Sequence, residues 1–152
     1  MLRWLLAALH LLALAVGFSA ITARASALRD TLDVRGMRRV LRADNWWGFA
    51  ALLWLASGLA RLILGTEKPT AYYVASHLFW LKMGLFLLVL ALEFAPMIAL
   101  IKWRLALKRG VHPDTKDAGR YAAFSTLEAF LLVVLVFVAT ALARGFEILL
   151  PF

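Results

Sequence analysis

Residues 72–101 read YYVASHLFWLKMGLFLLVLALEFAPMIALI, and these thirty residues hold only three charged or imidazole side chains. A helix needs about 20 apolar residues to cross the hydrocarbon core of a bilayer, because it rises about 1.5 Å per residue. Polar and apolar residues do not alternate here as they do in a strand. The stretch therefore predicts a membrane-spanning helix, and Pro96 near its end predicts a kink or an early stop.

Three further stretches have the same character: residues 4–23, 46–64 and 121–149. The chain has 152 residues, is 64% hydrophobic and lacks cysteine, which excludes disulfides, iron–sulfur clusters and thiolate nucleophiles. The first stretch is longer than the apolar core of a secretory leader, so we expect it to remain as a span. We predict an all-α integral membrane protein in which residues 1–152 form one four-transmembrane-helix bundle.

Basic residues are concentrated in the first and third loops between the predicted spans. Each of these loops has six of them, whereas the second loop has only Lys68. By the positive-inside rule, the first and third loops lie in the cytoplasm and both termini lie outside. The net charge of +8 is then explained by loops beside an anionic lipid bilayer, and nucleic-acid binding is not indicated.

The first loop itself has an amphipathic pattern. Leu28, Leu32, Met37 and Val40 alternate with arginines, which predicts a short surface helix on the cytoplasmic side between spans one and two. Asp44 stands just before the second span and is predicted to be the N-cap of that helix.

Several short motifs are spread over nearly the whole chain. They are ADNWWG at 43–48, GLAR at 58–61, YY at 72–73, FWLK at 79–82, Pro96 followed by KWR at 102–104, and ARG at 143–145. Together they resemble domain of unknown function family 2214, a group of four-span bacterial membrane proteins. The resemblance implies the four-span topology and a multi-pass location in the bacterial inner membrane.

More remotely, the layout is similar to the four-span bacterial protoporphyrinogen oxidases and the copper-resistance D membrane proteins. The oxidases pair a histidine on the first span with a histidine-lysine motif that enters the third. His10 matches the first element, and His77 with Lys82 approximates the second at a spacing of five residues. This resemblance implies haem or porphyrin chemistry.

The predicted spans contain few ionisable side chains, and a charge at the centre of a bilayer costs about 3 kcal/mol on insertion scales. Such residues are kept where they face protein, water or a ligand, so they are the candidates for function. They are His10, Arg61, His77, Lys82, Glu93, Glu128 and Arg144.

His10 and His77 are predicted at a similar depth below the outer surface, each about six residues inside its span. Two such histidines suit metal ligation of a b-type haem, and Arg61 and Arg144 near outer helix ends suit its propionates. The alternative is that each membrane histidine only bonds a neighbouring helix, with Ser57 or Ser76 as the partner.

Lys82 lies about ten positions inside the third span, too deep to reach either surface easily. Glu93 and Glu128 share a depth in the cytoplasmic half, where they suit proton uptake coupled to a catalytic redox step. A polar line from Lys82 to the two acids would then cross the bundle. An equally weighted alternative is that these three side chains tie helices together through buried hydrogen bonds.

Motifs of soluble hydrolases and nucleotide-binding proteins are absent from the sequence. The leading hypothesis is a haem-dependent membrane oxidoreductase. The second is a non-catalytic subunit or assembly partner, in a homodimer or a larger membrane complex. A proton-linked transporter is the third.

Overall fold

The computed structural model describes residues 1–65 and 69–146. Within these ranges the chain is helical and has no strand: α1 is Leu2–Arg29, α2 is Val34–Ile63, α3 is Thr70–Ala75, α4 is His77–Lys108 and α5 is Ala118–Ala143. The four long helices have 26 to 32 residues and are apolar enough to cross a membrane. The predicted all-α, four-span fold class is confirmed.

The long helices pack in the spatial order α2, α1, α5, α4. The main apolar core lies between them and includes Ile21, Trp47, Val89 and Leu132. α2 and α4, which stand at the two ends of this order, meet through side chains, as where the Trp54 ring packs edge-on against Phe86. Most other large apolar side chains are exposed, as expected for helices surrounded by lipid.

The separate surface helix predicted between spans one and two does not form. α1 continues to Arg29, and after a short connection α2 begins at Val34 and runs without a break into the second span. The Asp33 side chain accepts a hydrogen bond from the Gly36 backbone N–H at 2.6 Å and caps α2. Asp44 is therefore inside the helix, and the prediction that it is an N-cap is wrong.

The physical reason is that the amphipathic segment buries its apolar side against protein. Met37 and Val40 are fully buried and pack in a second core cluster with Leu100 and Trp103 of α4. An amphipathic pattern is the same whether the apolar face lies on lipid or on neighbouring helices. The burial explains why α2 is longer than the predicted span.

The helices observed in the region of the predicted third span differ from the prediction at both ends. The backbone is extended at Ser76, which separates the short α3 from α4. At the other end Pro96 lies inside α4, which continues to Lys108, so the predicted early stop is wrong. Proline removes one helical hydrogen bond, but Pro96 is buried among neighbouring residues and the helix is continuous on both sides of it.

Candidate functional site

A fully buried arginine, Arg24, joins all four long helices in the half of the bundle near the first and third loops. The residues that it gathers form what we call the arginine cluster. Its members are Arg24 of α1, Asp44 of α2, Glu93 and Arg104 of α4, and Ser125 and Glu128 of α5.

Every nitrogen of the Arg24 guanidinium donates a hydrogen bond. Nε donates to the Ser125 hydroxyl at 3.0 Å, and Nη1 donates to Asp44 at 2.9 Å. Glu93 accepts from both terminal nitrogens, at 2.8 and 2.6 Å, in the fork geometry that makes arginine–carboxylate pairs strong. Nη2 also donates to Glu128 Oε2 at 2.9 Å. Arginine suits this position because lysine has only three donors and no planar fork.

The cluster contains more carboxyl groups than guanidinium groups. Arg104 adds a second cation, which donates to Asp44 on the side away from Arg24. Two cations then face the three acids Asp44, Glu93 and Glu128. Glu128 is fully buried, and its Oε1 atom has no hydrogen-bond partner in the described part of the chain. Glu93 and Glu128 accept hydrogen bonds from the same Arg24 Nη2 atom, which brings their two carboxyl groups together.

A second polar group, on the other side of the apolar core, is centred on His10 of α1. Its Nδ1 lies 3.1 Å from the Trp54 carbonyl oxygen and 3.0 Å from the Ser57 hydroxyl, both on α2. The hydrogen bond from a membrane histidine to Ser57, predicted as an alternative to haem ligation, is confirmed. The imidazole also stacks on Trp54, with ring centroids 5.6 Å apart, and a Cβ at Gly58 would lie only 3.1 Å from its Cε1.

These contacts decide which ring nitrogen of His10 carries the proton. A carbonyl oxygen can only accept, and the Ser57 hydroxyl itself donates to that same Trp54 carbonyl. Nδ1 is therefore the protonated nitrogen, and Nε2 keeps its lone pair. Among the described residues, Nε2 has no hydrogen-bond partner.

Two cations lie near His10 in this half of the bundle. Arg61 of α2 and Lys82 of α4 are both close enough for their charges to act on the imidazole, and Arg61 also acts on Lys82. We call His10, Arg61 and Lys82 the basic cluster. Within the described residues no carboxylate forms an ion pair with Lys82, although this side chain is half-buried. The indole N–H of Trp54, whose ring stacks on His10, is also buried and has no partner within the same ranges.

Two residues that the sequence predicted for the site, His77 and Arg144, belong to neither cluster. His77 is exposed as the first residue of α4, and in the part of the chain that is described it forms no hydrogen bond or ring pair with His10. Arg144 is exposed at the end of α5. The described ranges also contain no group of three or more metal-ligating side chains of His, Asp or Glu.

The two clusters are separated by apolar side chains. Lys82 and Glu93 stand eleven residues apart on α4, about 16 Å along the axis, and Leu85 and Val89 between them pack into the main core. The predicted polar line through the bundle is therefore interrupted by an apolar layer.

Sequence reasoning placed Arg24 in a cytoplasmic loop and missed its central role. The sequence did contain a sign that Arg24 is buried. Three small residues of α1, Ala13, Gly17 and Ala20, lead to Arg24 at intervals of four, three and four. Such a spacing places all four on one helix face, and the structure buries that face.

The chain was also compared with known proteins. A family model described as "Predicted membrane protein (DUF2214)" matches residues 2–147. No curated protein and no solved structure matches the chain. The matched range includes every residue of both clusters, and the chain belongs to the domain of unknown function 2214 family of membrane proteins.

Proposed function

We propose that this protein is a redox protein of the bacterial inner membrane that binds one b-type haem, or a related porphyrin, at the basic cluster. The observation that carries the proposal is the arrangement of His10. Histidines that ligate metals commonly donate their other ring N–H to a carbonyl or carboxylate, which fixes the ring and its tautomer. The Nδ1 contact of His10 with the Trp54 carbonyl has this form.

The donor set at the basic cluster fits such a group. His10 Nε2 would bind the iron, and Arg61 and Lys82 would hold the propionate carboxylates. The Trp54 indole N–H is a further donor that the described part of the chain leaves unused. When bound, the haem supplies one-electron redox chemistry. His77 and Arg144 do not join this cluster in the described residues, so the proposal rests on His10 as the ligand from this chain.

The arginine cluster has a supporting role in this proposal. Electron uptake by a buried centre adds negative charge, which proton uptake elsewhere in the protein can compensate. Glu93 and Glu128 would hold that proton at their shared position on Arg24, and Arg24 would keep the remaining carboxylates paired. No catalytic step is assigned to Lys82, because its charge acts on His10 and apolar side chains separate it from the acids.

Visible spectroscopy of the purified protein tests the proposal. Wild-type protein, reconstituted with haemin if necessary, should give a reduced-minus-oxidised spectrum with b-type bands, and His10→Ala should lose them. His112→Ala is the matched control, since His112 is exposed in the loop after α4. Folding of each variant is checked by circular dichroism. A folded wild-type protein that stays colourless after haemin titration rules out the proposed function.

A second candidate is a non-catalytic subunit or assembly partner of a membrane complex or homodimer. It is favoured by the fact that both clusters join helices: His10 binds α2, and Arg24 binds α2, α4 and α5. In this case the polar side chains only hold the bundle together. The expected results are then a colourless protein, loss of stability in both His10→Ala and Arg24→Met, and co-purification with other membrane subunits.

A further inference from the structure

A groove of about 520 Å³ runs along the outside of the bundle between α1 and α2. Small residues of α1 line one side, among them Ala15, Ser19 and Ala23. The first and last of these residues are eight residues apart, about 12 Å along the helix axis, from the loop-one half of α1 towards its middle. The groove is thus open to lipid along its length and apolar along its α1 side.

The other side of the groove carries two arginines. Arg39 and Arg42 lie three residues apart on α2, so both point to the same side, and both are exposed. Arg39 has an exposed ion pair with Asp30 at 2.9 Å, whereas Arg42 has no ion pair with any carboxylate in the described ranges. Trp46 follows one turn further towards the bilayer centre, and tryptophan is typical of the headgroup level.

We propose that this groove binds one anionic diacyl phospholipid, with its phosphate against Arg42 and Arg39 and an acyl chain along the small residues of α1. Basic pockets between membrane helices on the cytoplasmic side recognise anionic lipid headgroups in this way. The two guanidinium groups supply the charge, and the groove supplies the apolar contact. A second copy of the chain seated on the same groove would bring its own arginines to this surface, and the like charges would oppose the contact.

Native mass spectrometry in a neutral detergent tests the proposal with two lipids of identical acyl chains, phosphatidylglycerol and phosphatidylcholine. Wild-type protein should retain phosphatidylglycerol preferentially. The double variant Arg39→Gln, Arg42→Gln should bind it about thirty-fold more weakly, which corresponds to about 1 kcal/mol for each arginine near the membrane surface. The double variant Arg35→Gln, Arg38→Gln removes two exposed arginines of α2 that do not line the groove, and it should bind as wild type does.

The acyl chain contact is tested separately by filling the groove. Ala15→Leu with Ser19→Leu adds bulk at two exposed positions and should weaken phosphatidylglycerol binding, whereas Ala91→Leu on the exposed surface of α4 should not. Glycerophosphoglycerol, the headgroup without chains, should not compete.

Three results overturn the inference. Equal losses in the two arginine pairs would mean that general surface charge attracts the lipid. Competition by the headgroup alone would identify a simple phosphate site. A wild-type dimer that dissociates in Ala15→Leu with Ser19→Leu would show that a second copy occupies the groove. None of these readouts involves haem, so they are independent of the proposed redox function.

Discussion

Within the described part of the chain, Arg24 is the one residue that bonds to all three of the other long helices, and replacement by methionine removes these bonds. Methionine keeps much of the side-chain length but removes both guanidinium contacts of Glu93 and the hydrogen bond that Arg24 donates to Glu128. Removal of one partner from a buried ion pair typically costs about 3–5 kcal/mol, because the remaining charge is desolvated and uncompensated. We expect Arg24→Met to reduce the free energy of unfolding by about this amount, and less if a carboxyl group takes up a proton.

The matched control is Arg39→Gln. Arg39 forms an ion pair with Asp30 of the same length as one in the arginine cluster, 2.9 Å, but its side chain is 57% exposed and that of Asp30 is 54% exposed. An exposed ion pair contributes about 0–1 kcal/mol, since water and salt screen it and the side chains lose entropy. The two variants therefore show how burial changes the contribution of an ion pair to stability when the nitrogen–oxygen distance is the same.

The assay is reversible unfolding of the detergent-solubilised protein in denaturant, followed by circular dichroism. Arg24→Lys is a third variant, which keeps the charge but has too few donors for five hydrogen bonds. Its stability should therefore lie between that of Arg24→Met and that of Arg39→Gln. If Arg24→Met costs no more than Arg39→Gln, the cluster does not hold the helices together and the reasoning from burial is refuted.

Three further predictions concern single positions. Glu128→Gln should cost less than about 1 kcal/mol if this group holds a proton, because glutamine has its shape and no charge; a loss of about 3 kcal/mol or more would mean that Glu128 is ionised. Gly58→Ala should weaken haemin binding because a Cβ would lie 3.1 Å from the His10 ring, whereas Gly48→Ala on the same helix meets nothing within 4 Å and should bind normally. Lys82→Met should stabilise the protein by about 1 kcal/mol, which is a fraction of the cost of placing a charge in the membrane, and it should weaken haemin binding. Lower stability of this variant would show that Lys82 has a structural role.

The fold could be predicted from hydrophobicity because each span needs about 20 apolar residues, and this requirement is local in the sequence. Helix ends were less predictable. Residues 34–45 continue into α2 because Met37 and Val40 find partners on α4, which is a tertiary effect that the local pattern does not contain. The early stop predicted at Pro96 was wrong for the same reason, since the burial of Pro96 in α4 depends on neighbours far away in the chain.

The candidate site was predictable only in part. The bond between His10 and Ser57 was anticipated because a membrane histidine needs a partner on an adjacent helix, and serine is a common one. Arg24 was missed because an arginine beside a predicted loop matches the positive-inside rule. A count of charges cannot distinguish an arginine that faces the cytoplasm from one enclosed by acids of three other helices, since the acids lie 20 to 104 residues away in the sequence.

The packing of α1 against α2 positions the side chains of both polar clusters. His10 and Arg24 are fourteen residues apart, which is nearly four full helical turns, so they lie close to one face of α1. Between them Gly17 meets Trp47 of α2, and a Cβ at this glycine would lie 3.2 Å from the indole ring. A larger residue would push α2 away from α1, and both His10 and Arg24 depend on acceptors that α2 provides. The small residue at position 17 therefore sets the distance on which both clusters depend, although an apolar layer separates their charges.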